Sequence, residues 1–432
     1  MKLQLKKLQF KSINWKYLTL FAITFFYIFT FDIYFGKGDV PADYTAYWTA
    51  GKIADEKGYS EIYDLDTLMN VQTQELRELG IIGNKETILN SVGYFSFFII
   101  PFQFLSRVDL VSSFWVWTMI NLVIQIGYLA FFLWNTIRGG RAKVSHLNLL
   151  ALGLVAYPVF TNLCNGQVNV LLLVCAGEFI RCAVNKKPVL AGMWLGGLLL
   201  KPLLLILIIP IFLIKHNWKV LIGFIISSVI IVTISTLLSK FTGMKALIDL
   251  WTKISGGETS TAPETMINWR MVGVNLNSLL NTSLGFVITG LGMALTILAI
   301  YILFKRNPSF GSSEWVMVML GVFSATLAII WHSHHHMAMV LIPFLIYLAS
   351  YKLFSEKMLF YWVTVTPAAW FGSLLFLFFV IMFSYNNLNI DQEMVIAFSG
   401  FFVNLAVLIF AVRNSTDPNF KEFLETEDSQ LL

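Results

Sequence analysis

Two aspartates, Asp39 and Asp43, combine a carboxylate with neighbouring aromatic side chains. Both lie in a polar segment after a long apolar run, and Tyr44, Tyr47 and Trp48 follow Asp43 directly. A carboxylate that aromatic rings shield from water holds a proton more tightly and can act as a general base toward a bound hydroxyl group. The alternative, which is compatible with that role, is that one or both aspartates cap a helix beginning near Tyr44.

A polar corner, Asn165-Gly166-Gln167-Val168-Asn169, separates two apolar runs. Uncharged polar side chains are costly in apolar surroundings unless they form hydrogen bonds or line a wet cavity. Asn165, Gln167 and Asn169 are therefore candidates for binding a polar substrate. Helix capping combined with hydrogen bonds between helices explains the same residues equally well.

Lys201 lies deep in an apolar stretch, after Gly196-Gly197 and directly before Pro202. A buried ammonium group requires an anionic partner, and a phosphate at the membrane interface is one candidate. Proline interrupts a helix at this point, which favours a binding site. The alternative is a lysine that extends from a short membrane span toward lipid headgroups.

Four histidines, His332, His334, His335 and His336, follow Trp331. On a helix His332 and His336 would share a face, with His335 beside them. Metal binding, recognition of a phosphate or sugar, and packing at the membrane interface are all consistent with this cluster. No acidic ligand is near in the sequence, which disfavours a metal.

Arg270 lies in a polar segment ahead of an apolar run. Its guanidinium group could bind a phosphate through two parallel hydrogen bonds, or anchor the chain at the membrane interface. Asp64-Leu65-Asp66 matches the DxD motif of soluble sugar transferases, but no nucleotide-binding βαβ unit accompanies it. We interpret the DxD sequence as a surface turn.

The elements that must position these residues are membrane helices. The chain of 432 residues is 57% apolar and only 13% charged, and its mean hydropathy is +0.72, as is typical of integral membrane proteins. The net charge of +5 comes from short loops, where the positive-inside rule explains it, so we expect no nucleic-acid binding. The three cysteines lack ligand spacing, which argues against a disulfide framework or a zinc site.

Basic clusters between the apolar runs define a path through the membrane. They lie at 2–16, 138–143, 181–187, 215–219, 305–306, 352–357 and after Arg413. If all are cytoplasmic, the chain has roughly 12 spans with both termini inside. The predicted spans are 17–35, 111–137, 147–161, 167–183, 188–201, 203–214, 219–239, 284–304, 314–331, 337–352, 358–383 and 394–412. Residues 188–214 form either two of these spans or a broken hairpin around Lys201-Pro202. Because no small-residue cleavage site follows the first span, we expect it to be retained.

Four polar segments then lie on the outer side, at 36–90, 162–167, 240–273 and 332–336. Segment 36–90 contains ten acidic and five basic residues, and it is too rich in aromatic side chains for a disordered linker. We expect it to form amphipathic helices that cover an active site. Residues 1–412 are predicted to form one integral membrane domain, and 413–432 a cytoplasmic tail.

In the same order along the chain, these motifs resemble those of glycosyltransferase family 87. The motifs that carry the resemblance are the first outer loop (Asp43 to Asp64), an aromatic-proline segment (Tyr94 to Pro101), a GQxN corner (165–169), a GxxxxKP segment (196–202), Asn277-Ser278, and the histidine segment (331–336).

The resemblance implies an all-α polytopic membrane protein with the GT-C-type glycosyltransferase fold, roughly 12 transmembrane helices and a large first outer loop. It implies transfer of a hexose, with mannose first, or of a pentose, from a polyprenyl-phosphate donor to a lipid or glycan acceptor, with inversion. The spacing to Tyr47 gives Asp43 as the general base and Asp39 as the second choice. The implied substrate-binding residues are Tyr47, Asn165, Gln167, Asn169, Lys201, Arg270, His334 and His335.

A polyprenyl phosphate leaves readily without a cation, so we expect no metal and no cofactor. The expected partners are the lipid-linked donor, the acceptor and membrane lipids. We expect a monomer in a bacterial inner membrane, with the active site on the outer (periplasmic) face. A transporter or flippase of lipid-linked sugars is the alternative, and it would show internal pseudo-symmetry and polar residues near the membrane midplane. The polar candidates here lie at one face instead, which favours an enzyme. Lys201 and the polar corner disfavour a purely structural protein.

Overall fold

The computed structural model describes residues 15–36, 38–80, 90–137, 144–256, 262–305, 307–382 and 391–416. The predicted basic cluster at 138–143, most of the cluster at 2–16 and most of the predicted tail lie outside these described residues.

Within the described ranges the chain is all-helical and contains no strand, which confirms the predicted fold class at that level. The α-helices are α1 Trp15–Phe35, α2 Ala42–Glu56, α3 Leu65–Glu78, α4 Ile100–Leu105, α5 Leu110–Thr136, α6 His146–Val155, α7 Tyr157–Cys164, α8 Asn169–Val184, α9 Pro188–Gly196, α10 Ile208–Ile214, α11 Trp218–Gly256, α12 Trp269–Leu280, α13 Leu284–Lys305, α14 Ser313–Ile329, α15 Ile342–Ser350, α16 Glu356–Met382 and α17 Gln392–Thr416. Short 3₁₀ turns lie at Glu61–Tyr63, Ser96–Ile99, Gly197–Leu200, Pro202–Leu205, Pro263–Thr265 and His335–Leu341.

Six of the described helices are long and apolar enough to cross a membrane: α1, α5, α11, α13, α16 and α17. Helices α6 and α7 are together long and apolar enough to cross a membrane as well, with a bend of 46° between them. The chain is therefore an integral membrane protein. All six helices coincide with predicted spans, and α11 is broken at Lys240, whose φ is 59°, directly after the predicted span end. The total of roughly 12 spans stays a prediction.

Two of the shorter apolar helices lie inside the protein. Every residue of α15 is buried, and so is nearly all of α14. A helix surrounded by other helices is apolar on all sides for the same reason as one surrounded by lipid. Hydropathy alone therefore does not distinguish an enclosed helix from a lipid-facing span.

The predicted outer loop folds into helices α2 and α3 and leads into α4. Helix α2 buries the aromatic side chains Tyr44, Tyr47 and Trp48. Gly51 allows α2 to approach α4 closely, because a β-carbon at this position would lie 2.1 Å from the carbonyl oxygen of Phe102. The aromatic residues of this loop thus form a packed core.

Two local predictions can be compared with the helix ends. Asp64 accepts a hydrogen bond from the backbone N–H of Thr67 at 2.7 Å and caps α3, whose first residues are Leu65 and Asp66. The DxD sequence is therefore the start of a helix and not the predicted surface turn. Helix α17 continues to Thr416, past the predicted domain end at 412, because the apolar periodicity ends before the helical hydrogen bonds do.

Candidate active site

Asp43 lies in the first turn of α2 and is partly buried. Its Oδ1 accepts a hydrogen bond from Asn90 Nδ2 at 2.6 Å, and its Oδ2 accepts one from Gln167 Nε2 at 2.5 Å. The residue preceding α2 is Pro41, and no side chain caps the helix start. The carboxylate therefore interacts with two side-chain amides from distant parts of the chain, which a capping role would not require.

Burial raises the pKa of Asp43 above its ordinary value. The hydrogen bond from Gln167, the charge of Lys201 and the hydrogen bond from Asn90 oppose this rise, and burial outweighs them. A carboxylate in this state is a stronger base than one exposed to water.

Gln167 connects Asp43 to a tyrosine and to the buried lysine. While Nε2 donates to Asp43, Oε1 accepts from the Tyr47 hydroxyl at 2.9 Å and from Lys201 Nζ at 3.2 Å. The Tyr47 hydroxyl also lies 3.0 Å from that of Tyr94. The amide of Gln167 is therefore held at both its nitrogen and its oxygen.

The corner between α7 and α8 brings Gln167 to this position. Gly166 has φ +58°, and a β-carbon there would lie 2.6 Å from Cβ of Tyr44, so glycine is required both for the turn and for the contact with α2. Trp117 Nε1 donates to the carbonyl of Gly166 at 2.9 Å. Asn162 Oδ1 accepts from the backbone N–H of Asn169 at 3.0 Å, which satisfies one donor at the start of α8.

Lys201 lies between two 3₁₀ turns, where Pro202 prevents a continuous helix. Its ammonium group donates to Gln167, and no carboxylate of the described residues lies within ion-pairing distance of it. The hydrogen-bond partner of this cation is thus a neutral amide, and its charge is not neutralised at close range.

The histidine segment is not α-helical, so the helical face that His332 and His336 would share does not form. Residues 330 and 334 are extended, and a 3₁₀ turn begins at His335. The rings of His332 and His334 lie 4.6 Å apart, and those of His334 and His336 lie 5.6 Å apart. The ring of His335 instead meets Tyr157 edge-on at 5.0 Å.

Lys201 lies in the same region as His332, His334 and His336, which we call the histidine row. The positive charge of Lys201 acts on both His332 and His336. Burial, followed by the charges of His334, Lys201 and Arg270, lowers the pKa of His332, so its imidazole is neutral near pH 7. A neutral imidazole can either donate or accept a hydrogen bond.

Arg270 lies beside this row at the start of α12. Its guanidinium group stacks 3.8 Å from the ring centre of Trp331 and donates to the Trp331 carbonyl at 3.4 Å. Asn268 caps α12 through Met271 and also donates to the carbonyl of Ile330 at 2.8 Å. This bond fixes the start of α12 against the histidine segment.

Several buried polar atoms of this region have no hydrogen-bond partner among the described residues. They are both amide atoms of Asn169, Nδ1 of His332, Oγ of Ser333, Nε2 of His335 and Nε2 of His336. Unpartnered buried polar atoms are costly and call for a bound water or ligand. Among the residues that the structure describes, no three His, Cys, Asp or Glu side chains are arranged to hold a metal ion.

The structure brings together some predicted residues and leaves others apart. Tyr47, Gln167 and Lys201 are hydrogen-bonded into the network of Asp43. Asp39 is exposed ahead of α2. Asn165 ends α7 through its backbone, which donates to Thr161 at 3.1 Å.

Two participants, Asn90 and Tyr94, were not predicted to bind substrate, and His332 and His336 were considered only as part of the histidine cluster. Asn90 and Tyr94 meet Asp43 and Tyr47 only through the fold. The sequence shows that His332, His334 and His336 alternate, but only the fold brings their rings side by side.

A comparison with known protein families gives one match. The sequence model described as glycosyltransferase family 87 matches residues 94–329, which is more than half of the 432 residues. The matched region includes Gln167, Lys201 and Arg270, begins after Asp43 and ends before His332. No curated protein and no solved structure matches the chain.

Proposed function

The chain belongs to glycosyltransferase family 87, and from this premise we propose that it transfers a sugar from a polyprenyl-phosphate donor to an acceptor hydroxyl, with Asp43 as general base. It is a membrane glycosyltransferase, which sets aside the transporter alternative. The observation that carries the assignment of residues is the hydrogen-bonded link Asp43–Gln167–Lys201. This link joins a base to a cation without letting them neutralise each other.

The base role is supported by the surroundings of Asp43. Its carboxylate accepts from two neutral amides and forms no ion pair with a described residue. Burial keeps the pKa above its ordinary value, so the ionised form takes up a proton more readily than an exposed aspartate would.

The proposed reaction is a single displacement. Asp43 accepts the proton of the acceptor hydroxyl, whose oxygen attacks the anomeric carbon. The bond from that carbon to the phosphate oxygen breaks, and the electron pair leaves with the polyprenyl phosphate. Attack opposite the leaving group inverts the anomeric configuration. Positive charge and hydrogen-bond donors that face the departing phosphate lower the barrier.

Lys201 is the proposed principal contact of the donor phosphate, with Arg270 and the histidine row beside it. The neutral amide partner of Lys201 supports this role, because a buried cation gains most from a charged partner. The unpartnered atoms of Asn169, His332 and His336 are suited to the sugar hydroxyls and the phosphate oxygens. The donor is a phosphodiester and its leaving group is a polyprenyl phosphate, which departs readily without a cation, so the proposal includes no metal and no cofactor.

The sugar is proposed to be a hexose, with mannose first, or a pentose, and the acceptor a lipid or a glycan. The proposed location is the outer face of a bacterial inner membrane, with both termini in the cytoplasm. In support, α1 spans Trp15–Phe35, about 30 Å at 1.5 Å per residue, and separates the basic amino terminus from Asp43. Mass analysis of glycolipids in a deletion strain would identify the sugar and the acceptor.

Purified Asp43→Asn protein, assayed with a radiolabelled polyprenyl-phosphate sugar, tests the proposal. Loss of a general base lowers kcat by about 10²–10⁴-fold, and we expect a loss in this range with unchanged thermal unfolding. Asp39→Asn is the matched comparison in the same segment, and we expect it to keep its activity. Full activity of Asp43→Asn would reject the base assignment, and loss in Asp39→Asn alone would move the role to Asp39.

A further inference from the structure

Gln167 joins the two charged groups of the site through one side-chain amide. Its Nε2 donates to Asp43 and its Oε1 accepts from Lys201. Rotating the amide by half a turn would place a donor against the ammonium and an acceptor against the carboxylate, so both hydrogen bonds fix its orientation. The hydrogen bond from Tyr47 to Oε1 at 2.9 Å adds to this constraint. Carboxylate and ammonium are thereby held at a set separation.

Few charged or titratable groups lie close enough to Asp43 to influence its pKa. Among the described residues, the cation whose field acts on it is Lys201, on the segment after α9. Tyr47 on α2 and Tyr94 ahead of α4 are the titratable groups that face it, and burial raises the pKa of both hydroxyls, which remain neutral. Asn90 and Gln167 are uncharged. Whether the positive charge of Lys201 is offset by a bound anion therefore controls the electrostatic environment of Asp43.

We propose that Gln167 is a positioning residue through which an anionic phosphate bound at Lys201 makes Asp43 a stronger base. The inference rests on the proposed function, which places the donor phosphate at Lys201. Without an anion beside it, the Lys201 ammonium stabilises the ionised carboxylate of Asp43 and weakens it as a base. A phosphodiester of charge −1 beside Lys201 offsets that field. Asp43 therefore takes up a proton more readily once the donor is bound, so the acceptor hydroxyl is activated when the donor is present.

The coupling is reciprocal. If bound phosphate favours protonation of Asp43, then protonation of Asp43 favours binding of phosphate by the same factor. For two charges separated by one amide and two hydrogen bonds, the effect is about one pH unit. Donor affinity should accordingly weaken about tenfold as the pH rises through the pKa of Asp43.

A binding titration tests this without turnover. The probe is the methyl ester of a polyprenyl phosphate, whose charge stays at −1 between about pH 4.5 and 7.5, bound to the purified full-length protein in lipid nanodiscs. We expect the wild-type affinity to weaken about tenfold across this range and that of Asp43→Asn to stay constant. Gln167→Met keeps the length of the side chain and removes its amide. Across the same pH range, the affinity of this variant for the probe should change by about threefold or less. A pH-independent wild-type affinity, or an unaltered tenfold change in Gln167→Met, would overturn the proposal.

Kinetics of the wild-type protein give a second test that needs no variant. The acid limb of kcat/KM for the donor reports the free enzyme, and that of kcat reports the donor complex. We expect the midpoint of the kcat limb to lie about one pH unit higher, and coincident limbs would overturn the coupling. If binding depends on pH as expected but no polyprenyl-phosphate sugar is transferred, the proposed function fails and the coupling stands. Transfer combined with pH-independent binding rejects the coupling alone.

Discussion

Helix α8 has a buried charged network near each end, and the two networks differ in how their charges are paired. Near its end, Arg181 Nε donates to both oxygens of Glu178 at 2.8 and 2.9 Å, and Nη2 adds a bond at 2.5 Å. The Tyr128 hydroxyl also donates to Glu178, at 3.3 Å. Every charge in this network has a direct partner of opposite sign.

At the start of α8, about 13 Å away at 1.5 Å per residue, the charges are held apart. Gln167 stands between Asp43 and Lys201, and neither ion forms a salt bridge with a described residue. In a direct ion pair each charge already compensates the burial cost of the other, so neither ion gains much by binding a substrate. Ions separated by an amide keep part of their burial cost and remain available to a substrate. We infer that the Glu178 network stabilises the fold and that the Asp43 network serves the reaction.

The largest effect expected from this comparison is on stability, at Glu178. Glu178→Gln leaves the Arg181 guanidinium without its counter-ion, which costs about 3 kcal/mol of unfolding free energy, the lower end of the range for buried pairs, because Arg181 is partly exposed. Turnover per folded molecule should not change. The measurements are thermal unfolding in detergent and initial rates of sugar transfer. The double variant Glu178→Gln/Arg181→Gln should recover most of the loss, and no recovery would show that the pairing is not the cause.

Lys201→Met should give the opposite pattern. Removing a buried cation that has no carboxylate partner should leave stability unchanged or raise it. Transfer should fall about 10- to 100-fold, because a hydrogen bond to a charged group contributes about 1.5–3 kcal/mol. The same two measurements apply. A drop in unfolding temperature as large as that of Glu178→Gln, with transfer preserved, would assign Lys201 to the structural class.

The pH dependence of sugar transfer should also distinguish the Asp43 network from the Glu178 network. Because burial raises the pKa of Asp43, transfer should decline as the pH falls through a midpoint above the ordinary value of about 3.9. The raised pKa also predicts that the free energy of unfolding decreases as the pH rises through the pKa of Asp43, because ionisation is less favourable in the folded state. Rate measurements across the acid range test this. Glu178→Gln should keep the wild-type profile, and an altered midpoint in that variant would show that the networks are coupled.

The smallest effect is expected for Tyr47→Phe, which keeps the ring and removes one hydrogen bond to Gln167. A neutral hydrogen bond contributes about 0.5–1.5 kcal/mol, so kcat should fall by about tenfold or less. Steady-state kinetics with the lipid-linked donor would measure it. A loss as large as that of Asp43→Asn would give the hydroxyl a direct part in proton transfer.

Much of the architecture followed from composition and periodicity. An apolar run of about 20 residues must satisfy its own backbone hydrogen bonds in lipid, so the runs at α1, α5, α13 and α17 predict helices directly. The spans predicted at α14 and α15 stay predictions, and the sequence did not show that other helices enclose them, because burial in protein produces the same apolar sequence as contact with lipid. Helical spacing would put His332 and His336 on one face, but residues 330 and 334 are extended and a 3₁₀ turn begins at His335. Spacing rules depend on the backbone type, which hydropathy does not specify there.

The sequence by itself determined the residue types that such chemistry needs: an aspartate beside aromatics, a polar corner, and a lysine before a proline. The positive φ of Gly166 and its close contact with Tyr44 came only from the structure. Only the tertiary structure decided that Gln167 lies between Asp43 and Lys201, that Asn90 supplies the second hydrogen bond to Asp43, and that His335 turns away from the histidine row. The physical reason is that the three hydrogen bonds among these contacts join residues 34 to 124 positions apart. Their geometry depends on how helices pack against one another, which no local pattern encodes.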